Sequence, residues 1–223
     1  MLTEKHFQEF SKILASEDKE AALAYALALL QSGETGVVDL YTRILAPALN
    51  QMTCQEEDQR LCIWREHVHT AIIRTIVESC YPFVIAEKKK MNSGDRGMAA
   101  VLCPPEENHE LGARMVADFL TICGFETIFV GSNTPYEEFL NGVEILKPKL
   151  IAISVTNYYH IFVTKKIVAD LRGKMGDQVK IVIGGNAFDS NPEHVKAIGA
   201  DFYSKSFEDI KNIADTIPAE ERN

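Results

Sequence analysis

The chain has 223 residues, of which 46 % are hydrophobic and 25 % charged, and a formal charge of −9. This is the composition of an ordinary globular protein of one large or two small domains, and its acidity argues against a nucleic-acid surface, which needs clustered Lys and Arg. No apolar run reaches the length of a membrane span and no signal-like segment opens the chain, so a cytoplasmic protein without a membrane or direct nucleic-acid partner is expected.

The first 90 residues read as a bundle of four or five helices. In "TEKHFQEFSKILA" one stripe carries Phe7, Phe10, Ile13 and Leu14, with Thr3 as a cap. "SEDKEAALAYALALLQSG" opens on Ser16 as a cap and closes on Gly33. "GVVDLYTRILAPALNQM" keeps the helical rhythm, with Pro47 expected to bend or interrupt it. A fourth helix runs from about Gln55 to Tyr81 and stops near Pro82, after which "AEKKKMNSGDRG" reads as a solvated linker. The five cysteines form no C-x-x-C pair and read as reduced core residues.

Residues 91–223 change rhythm. Short apolar runs, "GMAAVLC", "ETIFVG", "LIAISV", "KIVIGG" and "DFYSK", alternate with amphipathic stretches, the first of them running from His109 to Cys123 and ending on Gly124. Such alternation predicts a five-stranded parallel sheet covered on both faces, an α/β domain of flavodoxin-like, Rossmann-like type with strand order 2-1-3-4-5.

Ligands of such sheets bind beyond the carboxyl ends of the strands. The loops there are "PPEENHELG", "GSNTP", "SVTNYYH", "GGNAFDS" and "YSKSF". The first holds two prolines and three glutamates, so it would repel a flavin phosphate, which wants free backbone amides. A receiver-type metal site would need a carboxylate after the third strand, where Ser154 and Thr156 stand instead. A histidine ligand fits better. His109, expected in the first turn of its helix, would be kept neutral by the dipole, and Glu107 could take one ring N–H and raise the basicity of the other nitrogen. Taken alone, the pair reads first as an exposed loop histidine beside an acid.

Glu107, His109 and Gly112 as E-x-H-x-x-G, Ser154 and Thr156 as S-x-T, and Gly184–Gly185 fall in order at alternate strand ends. The set resembles the cobalamin-binding domain, over about Gly97 to Ile217. The resemblance implies a cobalamin (adenosyl-, methyl- or hydroxocobalamin) whose cobalt takes His109 as lower ligand in place of the cofactor's own benzimidazole. It further implies a displaced tail running into the sheet, past Gly112 and Gly184–Gly185, with Ser154 and Thr156 offering hydroxyls and Ala187 and Phe188 walling it. The family's usual Asp is Glu107 here; the added methylene allows a longer or water-mediated contact to the imidazole.

Two subclasses compete. The loop residues look more like the cobalamin domain of light-sensing MerR-type regulators, which also carry a helical bundle, than like the corrinoid carriers of methyltransferases. Glu66–His67 matches the Glu-His pair of the sensors' bundle, which lies above the cofactor. The sensors' capping Trp would fall at Glu56, so it is absent, and Trp64 lies about 80° away around the helix. Trp64 is then bundle core, and methyl, water or His67 becomes a candidate upper ligand; His69 faces away from His67 and reads as structural or exposed. The expectation is a regulatory or sensory cobalamin module without its own DNA-binding helices and not a stand-alone enzyme, acting through a protein partner, with homo-oligomerisation left open. The alternative is the corrinoid methyl-carrier subunit of a methyltransferase system. A flavodoxin-like module without cobalamin is the third reading.

Overall fold

A computed structural model describes residue 2 and residues 4–51, 61–189 and 192–219, with the backbone alone at 192–194. It forms two compact units, Met1–Glu87 and Lys88–Asn223.

The helical region comprises α1 (Glu4–Ala15), α2 (Lys19–Gln31), α3 (Val37–Leu40), α4 (Ala46–Asn50), α5 (Cys62–Ser79) and α6 (Tyr81–Met91). The cap proposed at Thr3 and the stretch from Gln55 to Arg60 lie outside the described residues. Asp18, rather than Ser16, caps α2: its carboxylate accepts the Ala21 amide at 2.9 Å, while the Ser16 hydroxyl turns back onto the Ile13 carbonyl. A π turn at Tyr41–Leu45 joins α3 to α4 just before Pro47. Proline lacks the N–H that a regular α turn would use, and the wider turn absorbs the fault without ending the helical path. The core of this unit is built on Phe10, Leu40, Tyr41, Ile44, Leu45, Ile73 and Ile76, all at most 1 % exposed. The Tyr41 hydroxyl donates to the Val77 carbonyl at 3.1 Å, so the buried phenol is satisfied.

Pro82 does not stop the helical region. It sits at the second position of α6, where its missing N–H costs nothing, and the helix carries the Lys88–Lys90 run to Met91. "AEKKKM" is therefore helix rather than linker. Cys80, Cys103 and Cys123 are free and buried, as expected, whereas Cys62 is disulfide-bonded. Among the described residues no helix is long and apolar enough to cross a membrane.

The second unit contains β1 (Met98–Leu102), β2 (Glu126–Gly131), β3 (Leu150–Ser154), β4 (Lys180–Gly184) and β5 (Phe202–Ser204) in the order β2-β1-β3-β4-β5, every pairing parallel. Helices α7 (Leu111–Ile122) and α11 (Phe207–Asp215) belong to one face, and α8 (Tyr136–Leu146), α9 (Ile161–Met175) and α10 (Pro192–Ile198) to the other. Ile151, Ile153, Ile181 and Ile183 enter the core under α8 and α9. By alternation their neighbours Ala152, Ser154, Val182 and Gly184 face α7 and α11. The predicted strand order and parallel sheet are both observed. Because β1 lies between β2 and β3, the loop after β1 is flanked by the loops after β2 and β3, and this sets the site.

Candidate functional site

Glu107 lies in the loop after β1 and its carboxylate is completely buried. Oε1 accepts the His109 amide at 3.1 Å and the His109 Nδ1–H at 2.7 Å. Oε2 accepts the amides of Thr156 and Asn157, at 3.0 and 2.7 Å, and His160 Nδ1 at 3.0 Å. Two loops separated by half a sheet of sequence thus share one anion. Burial by itself would push the Glu107 pKa up; the Asn157 amide, the two imidazoles and the His109 amide outweigh it and hold the group down at about 2. The carboxylate is charged at any ordinary pH.

This anion decides the state of His109. With Nδ1 donating to Glu107, a neutral ring must carry its proton there and keep a lone pair on Nε2. The ring is 56 % exposed. The added methylene of Glu, expected to lengthen the contact or admit water, does neither: the hydrogen bond is direct. His109 also stands two residues ahead of α7, not in its first turn. The carboxylate beneath it, rather than the helix dipole, sets its tautomer.

The other acids of the loop are partly spent inside the protein. Glu110 accepts both the amide and the hydroxyl of Ser132, at 3.0 and 2.9 Å, which pins the loop after β2. Glu106 adopts φ +67°, a conformation uncommon for a residue with a side chain and found where a loop is held in one shape. Cys103, at the end of β1, is pushed up to about 12, first by burial and then by Glu107 and Glu110, so it is a thiol and not a thiolate ligand.

The remaining predicted residues divide. Ser154 pairs with Gly184, and Gly184 with Ser204, so three small residues form one row across β3, β4 and β5 on the α7 and α11 face. A Cβ on Gly184 would come 2.7 Å from the Ser204 carbonyl oxygen. Gly185 has φ +103°, and a Cβ there would come 2.3 Å from the Val155 oxygen. Only glycine fits this crossing. Gly112 differs: it is exposed and a Cβ on it would meet nothing within 4 Å, so it leaves open space beside His109 instead of relieving a helix contact. Thr156 contributes its amide. Ala187 and Phe188 are 5 % and 1 % exposed and belong to the core under α9 and α10, where Phe188 meets the Tyr203 ring edge-on.

In the helical unit Glu66 and His67 are exposed on α5, and Trp64, expected in the core, is 65 % exposed. The helix buries Ile72, Ile73, Ile76 and Val77 instead. His69 is half-buried, and burial lowers its pKa.

His160, Asn157 and Glu110 were not singled out from the sequence. The signal for His160 was present: a second imidazole in the loop after a strand that neighbours β1 in the predicted order.

The donor set suits a cobalt corrinoid. A neutral imidazole with an oriented Nε2 is a transition-metal ligand, a Cβ on Gly112 beside it would meet nothing within 4 Å, and the row Ser154, Gly184 and Ser204 carries only small side chains.

The comparisons agree. Over 124 residues the chain is 30 % identical to a trimethylamine corrinoid protein of Methanosarcina barkeri, a match spanning 55 % of this chain and 56 % of that relative. Over 203 residues it is 25 % identical to trimethylamine corrinoid protein 1 of Methanosarcina acetivorans, spanning 91 % and 88 %. Among solved structures, the monomethylamine corrinoid protein of Methanosarcina barkeri superposes with a TM-score of 0.78 at 17 % identity, over 97 % of this chain and all of that one. The methanol:cobalamin methyltransferase complex MtaBC of the same organism gives 0.50 at 18 % identity, over 97 % and 80 %. These structural likenesses establish a shared fold. The family model for the B12 binding domain matches residues 97–210, just over half of the chain and the whole of the site built on Glu107. The chain therefore belongs to the B12-binding domain family and is a cobalamin-binding protein.

Proposed function

We propose that the chain is a corrinoid methyl carrier, serving a methyltransferase that draws its methyl group from a methylated amine. The observation that carries the cobalamin site is the buried Glu107 carboxylate holding His109 Nδ1 at 2.7 Å. What favours the carrier over the sensor is that the amine corrinoid relative from Methanosarcina acetivorans matches over 91 % of the chain, helical region included. The comparisons thus support the reading given second place from the sequence alone.

In this reading His109 Nε2 would hold the cobalt. Glu107 fixes its tautomer and its direction. Gly112 would leave room for the cofactor beside His109, and the small residues Ser154, Gly184 and Ser204 would serve its tail. Bound cobalamin supplies a cobalt centre that accepts and releases a methyl group. The partner implied is a methyltransferase, as in the solved methanol:cobalamin methyltransferase complex MtaBC.

The test is reconstitution of the cobalamin-free protein with hydroxocobalamin, followed by reduction and addition of a methylamine with its methyltransferase. Retained colour after desalting and methylation of the cobalt support the proposal. Retained colour without methylation, with an oligomer that changes on illumination of the adenosyl form, would favour the sensor instead. A colourless protein with every form would remove both.

A further inference from the structure

We infer that His160 is a positioning residue for His109, acting through Glu107 as a second imidazole donor that moderates the carboxylate's pull on the His109 ring. The inference rests on the proposed ligand role of His109.

His160 is aimed at Glu107 by its surroundings. Asn157 Oδ1 accepts the Tyr159 amide at 3.1 Å and starts a short 3-10 turn over Tyr158–His160. The His160 carbonyl accepts the hydroxyl of the buried Thr164 at 2.8 Å, tying the end of that turn to α9. Tyr158 and Tyr159 point outward, 57 % and 85 % exposed, whereas the His160 side chain is 16 % exposed and bonds Oε2 of Glu107 at 3.0 Å. Among the described residues, Oε1, the oxygen that serves His109, takes hydrogen bonds from His109 alone.

Each N–H donated to a carboxylate disperses its charge and weakens its hold on the remaining donors. A carboxylate that pulls hard on an imidazole N–H makes the opposite nitrogen a stronger metal donor. With three donors on Oε2, the pull on His109 is tempered. His109 would then be a moderate ligand, suited to a cobalt that works through Co(I).

The test uses the full chain loaded with hydroxocobalamin, as parent, His160→Phe and His160→Gln. Phe keeps a ring without a donor, and Gln keeps a donor without the ring. The readouts are the axial-nitrogen splitting in the electron paramagnetic resonance spectrum of the Co(II) form and the Co(II)/Co(I) midpoint potential. The parent is expected to show the splitting. His160→Phe should retain it and shift the equilibrium against Co(I) by roughly tenfold, about 59 mV more negative for a one-electron couple, and His160→Gln should restore most of the parent value. Should His160→Phe not fold, His160→Leu takes its place as the donor-free variant.

An unchanged or more positive midpoint in the donor-free variant, or the same shift in His160→Gln, overturns the inference while leaving His109 as ligand. A parent without nitrogen splitting overturns the ligand reading, and this inference with it.

Discussion

In the sheet unit the residues that carry chemistry are tied to one another: Glu107 receives hydrogen bonds from His109, Thr156, Asn157 and His160. In the helical unit Trp64, Glu66 and His67 stand exposed along α5. The difference is one of topology. A parallel sheet delivers every strand to the same edge, so residues far apart in sequence meet there, whereas residues three apart on one helix gain a neighbour only if another element covers that face. The sheet unit has a site of its own; the helical unit has a core of its own and an exposed face.

The contrast can be broken at several points. Glu107→Ala should have the largest effect, because it leaves three part-buried amides and two imidazoles without their acceptor. A loss of about 3 kcal/mol or more is expected, read by urea denaturation of the cobalamin-free protein. The same carboxylate sets a pH dependence. Its folded pKa, about 2, lies below the ordinary 4.5, so its stabilisation is fully present above about pH 4.5 and is lost as pH falls toward 2. Urea midpoints between pH 6 and pH 3 should fall more steeply in the parent than in Glu107→Gln.

Gly185→Ala comes next. Its Cβ would strike the Val155 carbonyl in a left-handed backbone, and a loss of about 2–3 kcal/mol is expected from strain of that kind. Gly112→Ala sharpens the comparison from within the sheet unit. Its Cβ meets nothing and alanine favours helix, so the cobalamin-free protein should gain up to about 1 kcal/mol while cobalamin uptake weakens. Equal uptake by this variant and the parent would show that nothing packs against that face of α7. Trp64→Ala should do least, within about 0.5 kcal/mol of the parent, as for other exposed residues. A larger loss in the thermal midpoint would mean that the helical unit uses this ring for packing.

Much of the sheet unit was legible in the sequence because its signals are local. Apolar runs mark the strands, Gly124 ends α7, and the spacing of Glu107, His109 and Gly112 needs no tertiary knowledge. His160 was not legible for the opposite reason. Its role depends on the loop after β3 meeting the loop after β1, 53 residues apart, and only the register brings them together. Phe188 was read as a wall for a tail because it follows the paired glycines; that it packs in the core under α9 and α10 depends on the turn they allow. In the helical region Pro82 was read as a stop, yet proline is as much at home in a first turn as past a last one, and only the continuing chain distinguishes the two. Trp64 was placed inside by hydrophobicity, while α5 turns its Ile and Val stripe inward.

The central claim is a bond from His109 Nε2 to cobalt, and isotope labelling isolates it. Protein grown on nitrogen-15 and loaded with unlabelled cobalamin is reduced to the Co(II) state, and its electron paramagnetic resonance spectrum is recorded beside that of His109→Ala. A protein nitrogen on the axis gives doublet splitting, absent in the variant, and this is the result predicted. Triplet splitting in the labelled parent, from the cofactor's own benzimidazole, would contradict it.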